Sequence, residues 1–184
     1  MANDGQNEAQ SGGGSTARLF IGLWPDEQVR QALFEHQQRW QWPPGAALVR
    51  RERLHITLHF LGDVAHDRIQ CLQQALEGVR GSRFPVRCEG PQRWHGGLVV
   101  LGVAASPPLL ALQQAVGSEL QALGLPLGRR PYTPHVTLAR RAEGAQPPAE
   151  CPPIDWKVND WALIESQRMP PGGYAVRWQR ALVA

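Results

Sequence analysis

An internal duplication constrains this chain more than any other feature. A short apolar segment, a helical pattern and a His-x-Thr strand occur in that order from Leu19 to His55. The same order recurs from Leu98 to His135, and the two intervals span 36 and 37 residues. A shared period of this kind implies two similar lobes facing each other. The 184 residues fit one domain of ordinary size, or two small lobes sharing one core.

The local patterns fill in the lobes. Leu19 to Trp24 is short, apolar and β-prone, which predicts a strand. Pro25-Asp26-Glu27 opens a helix with Val29, Ala32, Leu33 and Trp40 on one face, and Pro43-Pro44-Gly45 ends it. Leu54 to Leu61 alternates, with Ile56, Leu58 and Phe60 pointing one way and His55, Thr57 and His59 the other. Gly62-Asp63 is expected to close that strand. Ile69, Leu72, Leu76 and Val79 predict a second helix, and Phe84 to Glu89 and Leu98 to Ala104 predict strands. Pro107-Pro108 opens a third helix through Leu123. Thr133 to Ala139 repeats the alternation, with His135 and Thr137 outward, and Gly144 to Pro153 is a loop. Trp156 to Val183 reads as two strands joined by Pro170-Pro171-Gly172-Gly173. The fold class expected is α+β: two similar lobes of mixed or antiparallel sheet, helices outside, around a central cleft.

Residues 1–16 are polar and glycine-rich and are expected to form a disordered tail, with 17–184 as a single bilobal domain. No apolar stretch is long enough to span a bilayer, and the N-terminus lacks the order of a secretory signal. Cys71, Cys88 and Cys151 are odd in number and form no CxxC pair, so a reducing compartment fits better than a disulfide framework. The expected setting is cytoplasmic, and the expected state a monomer. The basic residues are nearly all arginine, Lys157 being the one lysine. That bias suits phosphate handling, and genomic base composition explains it as well.

The chain holds four threonines and six histidines. Random placement would give about 0.1 His-x-Thr, so two copies in equivalent places are a specific signal. Phosphodiester cleavage needs a base for the nucleophile and an acid for the leaving oxygen, and histidine serves either role near neutral pH. In-line displacement puts those two oxygens on opposite sides of phosphorus. Histidines on opposed strands satisfy that demand. Thr57 and Thr137 face the same way as their histidines and can donate to a phosphoryl oxygen as its charge grows. Arg50, Arg51, Arg53, Arg129, Arg130, Arg140 and Arg141 crowd the motifs, as phosphate ligands or as a solvated rim. Arg140 sits on the motif strand itself. His59 is a candidate for substrate contact or for packing at the edge of the site. Trp94 and Tyr132 could stack on a base or belong to the core.

The stretches RLFIGLWPDE, LHITLHFLGDV, LVVLGV, RPYTPHVTLARR and ESQRMPPGGYAV resemble, in order, the two-histidine phosphoesterases. Within them they resemble the bacterial and archaeal RNA 2′,3′-cyclic phosphodiesterases, also called 2′-5′ RNA ligases. The resemblance implies a two-lobed fold with no metal and no cofactor, acting on RNA ends or cyclic nucleotides. It implies His55 as proton donor, His135 as proton acceptor, and Thr57, Thr137 and Arg140 as substrate ligands. The product implied is a 2′-phosphomonoester. A non-catalytic RNA or nucleotide binder is the alternative, and reverse 2′-5′ ligation would use the same residues.

Overall fold

The computed structural model describes residues 15–128, 130–167 and 172–183. Residues 1–14 of the expected tail, Arg129, and Pro170-Pro171 of the expected turn lie outside these. Ser15 and Thr16, placed in the tail by the sequence reading, belong to the folded chain: Ser15 bonds His66, and Thr16 begins the first strand.

The strands are β1 (Thr16–Leu23), β2 (Ala47–Leu48), β3 (Ile56–Ala65), β4 (Phe84–Trp94), β5 (Leu98–Val103), β6 (His135–Arg140), β7 (Ile154–Val158), β8 (Asp160–Gln167) and β9 (Gly173–Ala181). The helices are α1 (Glu27–Gln38), α2 (Ile69–Gly78) and α3 (Pro107–Ala122). Asp26 caps α1 by accepting the Val29 amide at 2.9 Å. Pro107 starts α3, where a missing N–H costs nothing.

The duplicated unit is present as β1-α1-β3 and β5-α3-β6. The two lobes are halves of one sheet, ordered β7-β4-β5-β6-β3-β1-β8-β9, with β2 added on β6. Outward from the central seam, β3-β1-β8-β9 mirrors β6-β5-β4-β7. Every pairing of named strands is antiparallel, so the sheet is antiparallel rather than mixed. β7 and β8 lie near opposite edges yet are separated by one residue, Asn159, so the sheet must curl. A bridge between Ser82 and Val183 draws the same two edges together.

The helices cross between halves. α1 leaves β1 and packs on β7, whereas α3 leaves β5 and packs on β3, β4 and α2. Leu33, Leu109, Val116 and Leu120 are buried among the strand residues Leu19, Ile21, Val99 and Leu138. This exchange gives both halves one apolar core, and each completely buried leucine contributes about 2 kcal/mol.

Three sequence expectations fail locally. The segment from Trp156 to Val183 holds three strands, not two: β7 runs through Trp156 and turns into β8 at Asn159. Gly62-Asp63 does not close β3, because Gly62 at φ +74° makes a bulge and pairing resumes through Ala65. The strict alternation of the motif strands is also broken, and that break builds the site.

Candidate active site

β3 and β6 meet at one pair of residues, Ile56 opposite Val136. In antiparallel register this sets His55 across from Thr137 and Thr57 across from His135. The four side chains share one face, with the histidines on a diagonal. Diagonal neighbours in such a pair stand about 7–8 Å apart, room for a phosphoryl group between them.

The register then shifts at the same place in both motifs. Gly22 pairs with Thr57 and Ile21 with His59, leaving Leu58 unpaired. Val100 pairs with Thr137 and Val99 with Ala139, leaving Leu138 unpaired. An unpaired residue reverses the alternation beyond it. Leu58 and Leu138 both turn into the core. The fifth residue after each histidine is thereby returned to the cleft: Phe60 in one half, Arg140 in the other. Plain alternation puts Phe60 in the core, and that expectation is overturned; of the two readings of His59, packing at the edge of the site is the one the structure shows, beside the compartment that holds His135. Phe60 is 52% exposed. His59 is buried against α3, where Nε2 donates to the Gln113 carbonyl at 2.7 Å.

Gln37 of α1 clamps the second bulge. Its side-chain nitrogen donates to the carbonyls of Leu138, at 2.7 Å, and Val49, at 2.8 Å, and it is fully buried. Val49 in turn donates its amide to Leu138. Replacing Gln37 with leucine strands the Val49 carbonyl, at about 1–3 kcal/mol, and takes one of two donors from the Leu138 carbonyl, which keeps the Val49 amide. The variant is expected to unfold at lower denaturant and to lose activity through Arg140. A double-mutant cycle checks this: with Arg140→Ala already present, Gln37→Leu should add little further loss of kcat/KM.

Both histidines are oriented alike. His55 Nδ1 donates to the carbonyl of Arg53 at 2.6 Å, and His135 Nδ1 to that of Thr133 at 2.7 Å. These bonds assign the tautomer and leave each Nε2 as the basic atom. The Thr57 hydroxyl, 3.0 Å from His55 Nε2, donates to it. Aromatic rings enclose His55: Trp24 stacks at 5.3 Å and 16°, Phe20 lies at 4.8 Å, and Tyr174 meets it edge-on at 5.6 Å. Trp94 packs on His135 at 4.6 Å, so it supports the imidazole. Tyr132 is half-buried, its hydroxyl without a partner among the described residues, and burial raises its pKa.

Two compartments adjoin at Thr57 and Phe60. One, of about 410 Å³, holds His55, Thr137, Arg53, Arg140 and Tyr174. The other, of about 440 Å³, holds His135, Trp94, Arg130 and Tyr132. The motif arginines therefore divide. Arg50 and Arg53 line the first compartment with Arg140, and Arg130 lines the second. Arg51 instead bonds Gln31 and Glu27 on α1, and Arg141, at φ 51°, leaves the strand exposed. Phe20, Trp24, Phe60 and Tyr174 were not singled out from the sequence. An apolar residue that follows a bulge, or that comes from a distant strand, has no periodic signature on the cleft face.

Burial pushes the His55 imidazole down to about 4, with His135 and Arg140 acting in the same direction and the Arg53 carbonyl opposing. His135 is lowered too, first by burial and then by Arg140, against the Thr133 carbonyl. Burial also lowers His36 and His59. The folded chain thus binds fewer protons than the unfolded chain below the ordinary histidine value of 6.5. Stability is complete above that value and is lost as pH falls from 6.5 toward about 4. His55 alone accounts for on the order of 3 kcal/mol of this change. Thermal unfolding midpoints measured across that interval should fall with acidity; a midpoint independent of pH would contradict the buried neutral imidazoles.

A family model described as the 2′-5′ RNA ligase superfamily matches residues 25–169. The chain belongs to that superfamily. The resemblance to two-histidine phosphoesterases is thereby borne out. Two relatives named RNA 2′,3′-cyclic phosphodiesterase are similar over most of their length. The one from Thermus thermophilus is 28% identical over 172 residues, 84% of each chain. The one from Escherichia coli is 29% identical over 156 residues, 81% of this chain and 86% of its own. Among solved structures, Escherichia coli LigT complexed with 3′-AMP superposes with a TM-score of 0.79 at 25% identity, covering 92% of this chain and 100% of that one. The superfamily fold is α+β, as expected. Among the described residues no helix is long and apolar enough to cross a membrane.

Proposed function

We propose that this chain is an RNA 2′,3′-cyclic phosphodiesterase that opens a terminal cyclic phosphate to a 2′-phosphomonoester by acid/base catalysis without a metal. The observation that carries this reading is the pair of imidazoles on a diagonal across one seam, each fixed by its own carbonyl, beside two threonines and Arg140. RNA ends or cyclic nucleotides are the substrate, and the cytoplasm is the proposed setting.

Water attacks phosphorus from the His135 side, and the bond from phosphorus to the 3′ oxygen breaks. The water proton passes to His135 Nε2, and His55 Nε2 protonates the departing 3′ oxygen. Solvent then returns a proton to His55 and removes one from His135. Thr57, Thr137 and Arg140 hold the non-bridging oxygens as their charge grows. His55, held neutral by burial and by the nearby Arg140 cation, acquires its proton with the substrate. The anionic phosphate offsets the repulsion from Arg140. Among the described residues, no cluster of three His, Cys, Asp or Glu side chains could act as a metal-ligand set.

Incubating the pure protein with an oligonucleotide ending in a 2′,3′-cyclic phosphate, in excess EDTA, tests the reading. The expected product, read by phosphorus NMR, is the 2′-monoester. A 3′-monoester would reverse the two histidine roles. Turnover that EDTA abolishes and a divalent metal restores would refute the metal-free mechanism. The same protein binding RNA ends without opening them would favour the non-catalytic alternative.

A further inference from the structure

We propose that a third compartment, lined by Trp24, Arg53, Tyr174 and Val176, receives the nucleotide on the 5′ side of the terminal one, and that Arg53 holds the phosphodiester between them. This deepens the function proposed above and takes from it which side of phosphorus the ribose occupies.

In-line opening puts the attacking water and the departing 3′ oxygen on opposite sides of phosphorus. Water enters from the His135 side, so the ribose, which carries the departing oxygen, lies on the His55 side. A strand that continues from that ribose toward its 5′ end leaves the His55 compartment. The third compartment, of about 380 Å³, adjoins it, and Arg53 and Tyr174 line both. Sites for small organic ligands run to ~300–1,000 Å³, so one nucleoside is within its capacity. The compartment of His135 shares neither residue and stands on the side of the water.

Arg53 fits the phosphodiester. Its guanidinium carbon lies 5.2 Å from the centroid of the Tyr174 ring, which holds the planar fork where the two compartments meet. Arg51 is bonded to Glu27, whereas Arg53 has no carboxylate partner among the described residues. A fork of this kind matches two oxygens of one phosphate. The backbone carbonyl of Arg53 meanwhile accepts from His55 Nδ1, so one residue joins the imidazole to the neighbouring compartment. The rest of the lining suits a nucleoside. Trp24 and Tyr174 supply aromatic surface, and Val176 is an apolar side chain left 56% exposed. Arg30, tied to the Pro25 carbonyl and to Glu27, adds a second cation, against one carboxylate, the exposed Glu52. The cations favour an anion, and the rings and Val176 favour its sugar and base, the combination that single-strand sites use.

The test compares 2′,3′-cyclic CMP with the dinucleotide CpC ending in the same cyclic phosphate, by kcat/KM at physiological salt. The wild type should favour the dinucleotide by about ten- to a hundred-fold, the worth of one hydrogen bond to a charged group. Val176→Glu sets a like charge in the same compartment as the phosphodiester and should cut that preference about five-fold or more. Cyclic CMP, which does not reach Val176, should change by less than about twofold, because salt screens the added charge. Val176→Gln, polar and neutral, should keep the preference. Arg53→Gln removes the fork and leaves the carbonyl on His55; it should cost the dinucleotide most of its advantage and lower the salt slope of its binding by about one. Trp24 is left intact, since it also stacks on His55. Equal kcat/KM for the two substrates in the wild type would overturn the proposal. So would a preference that either Val176→Glu or Arg53→Gln leaves intact, or an equal loss in Val176→Gln. Calorimetry with the same two compounds ending in a 2′-phosphate reads the contrast in binding. A protein that opens no cyclic phosphate, yet binds the dinucleotide tighter and loses that advantage in both Val176→Glu and Arg53→Gln, would refute the hydrolase reading and leave the subsite standing.

Discussion

Replacing either motif histidine with alanine is expected to lower kcat by about a hundred- to ten-thousand-fold, the worth of a positioned acid or base. The two losses should not multiply in the double variant, because an acid without its base leaves the in-line displacement incomplete. His55 and His135 lie on the cleft face of the seam, outside the main apolar core, so both variants should fold. His55→Ala leaves a gap among Trp24, Phe20 and Tyr174, whereas His55→Gln fills much of it. His55→Gln therefore supplies the control. It should be as inactive as the alanine variant and lose less stability than the wild type between pH 6.5 and about 4, since the buried imidazole no longer resists protonation. Steady-state kinetics with thermal unfolding in acid checks both points. Turnover within a few-fold of the wild type in either variant would remove that histidine from the mechanism.

Thr57→Val and Thr137→Val are expected to cost roughly ten- to a thousand-fold in kcat, as single donors to a charge that grows in the transition state. The Thr57 variant should lose more. Its hydroxyl donates to His55 Nε2 in this structure, so its removal frees the imidazole as well as deleting a phosphoryl donor. Valine keeps the shape and the β-propensity, so stability should change little. Arg140→Ala should fall in the same range on kcat/KM, with Arg140→Lys recovering part of it, because an ammonium supplies charge without the planar fork. Equal kcat for wild type and both valine variants would mean that the threonines serve the strand and not the phosphate.

The sequence carried the duplicated order of elements, because periodicity and breakers are local properties. Strand, helix and His-x-Thr strand were legible twice, with Pro25-Asp26 and Pro107-Pro108 marking the helix starts. The bulges were not legible. Nothing in LHITLHF distinguishes a strand that alternates to its end from one that skips at Leu58, since bulging depends on the register against β1. Beyond Thr57 plain alternation therefore turns Phe60 into the core, and it leaves His59 open between substrate contact and packing at the edge of the site. Arg140 was singled out for lying on the motif strand, although its place in the cleft depends on the Leu138 bulge that Gln37 holds.

What the sequence determined by itself was the pairing of two identical motifs and the chemistry those residue types can perform. Their spacing cannot bring them together. Residues eighty apart meet only because β3 and β6 pair at Ile56 and Val136, with α1 packed on β7 of the other half and α3 spanning β3 and β4. The same assembly decided the electrostatics. A histidine on an alternating strand reads as half-exposed, with an ordinary pKa. Three rings drawn from β1, the segment after it and β9 enclose His55 and hold it neutral. Desolvation depends on neighbours that are distant in the chain, so only the tertiary structure could decide it.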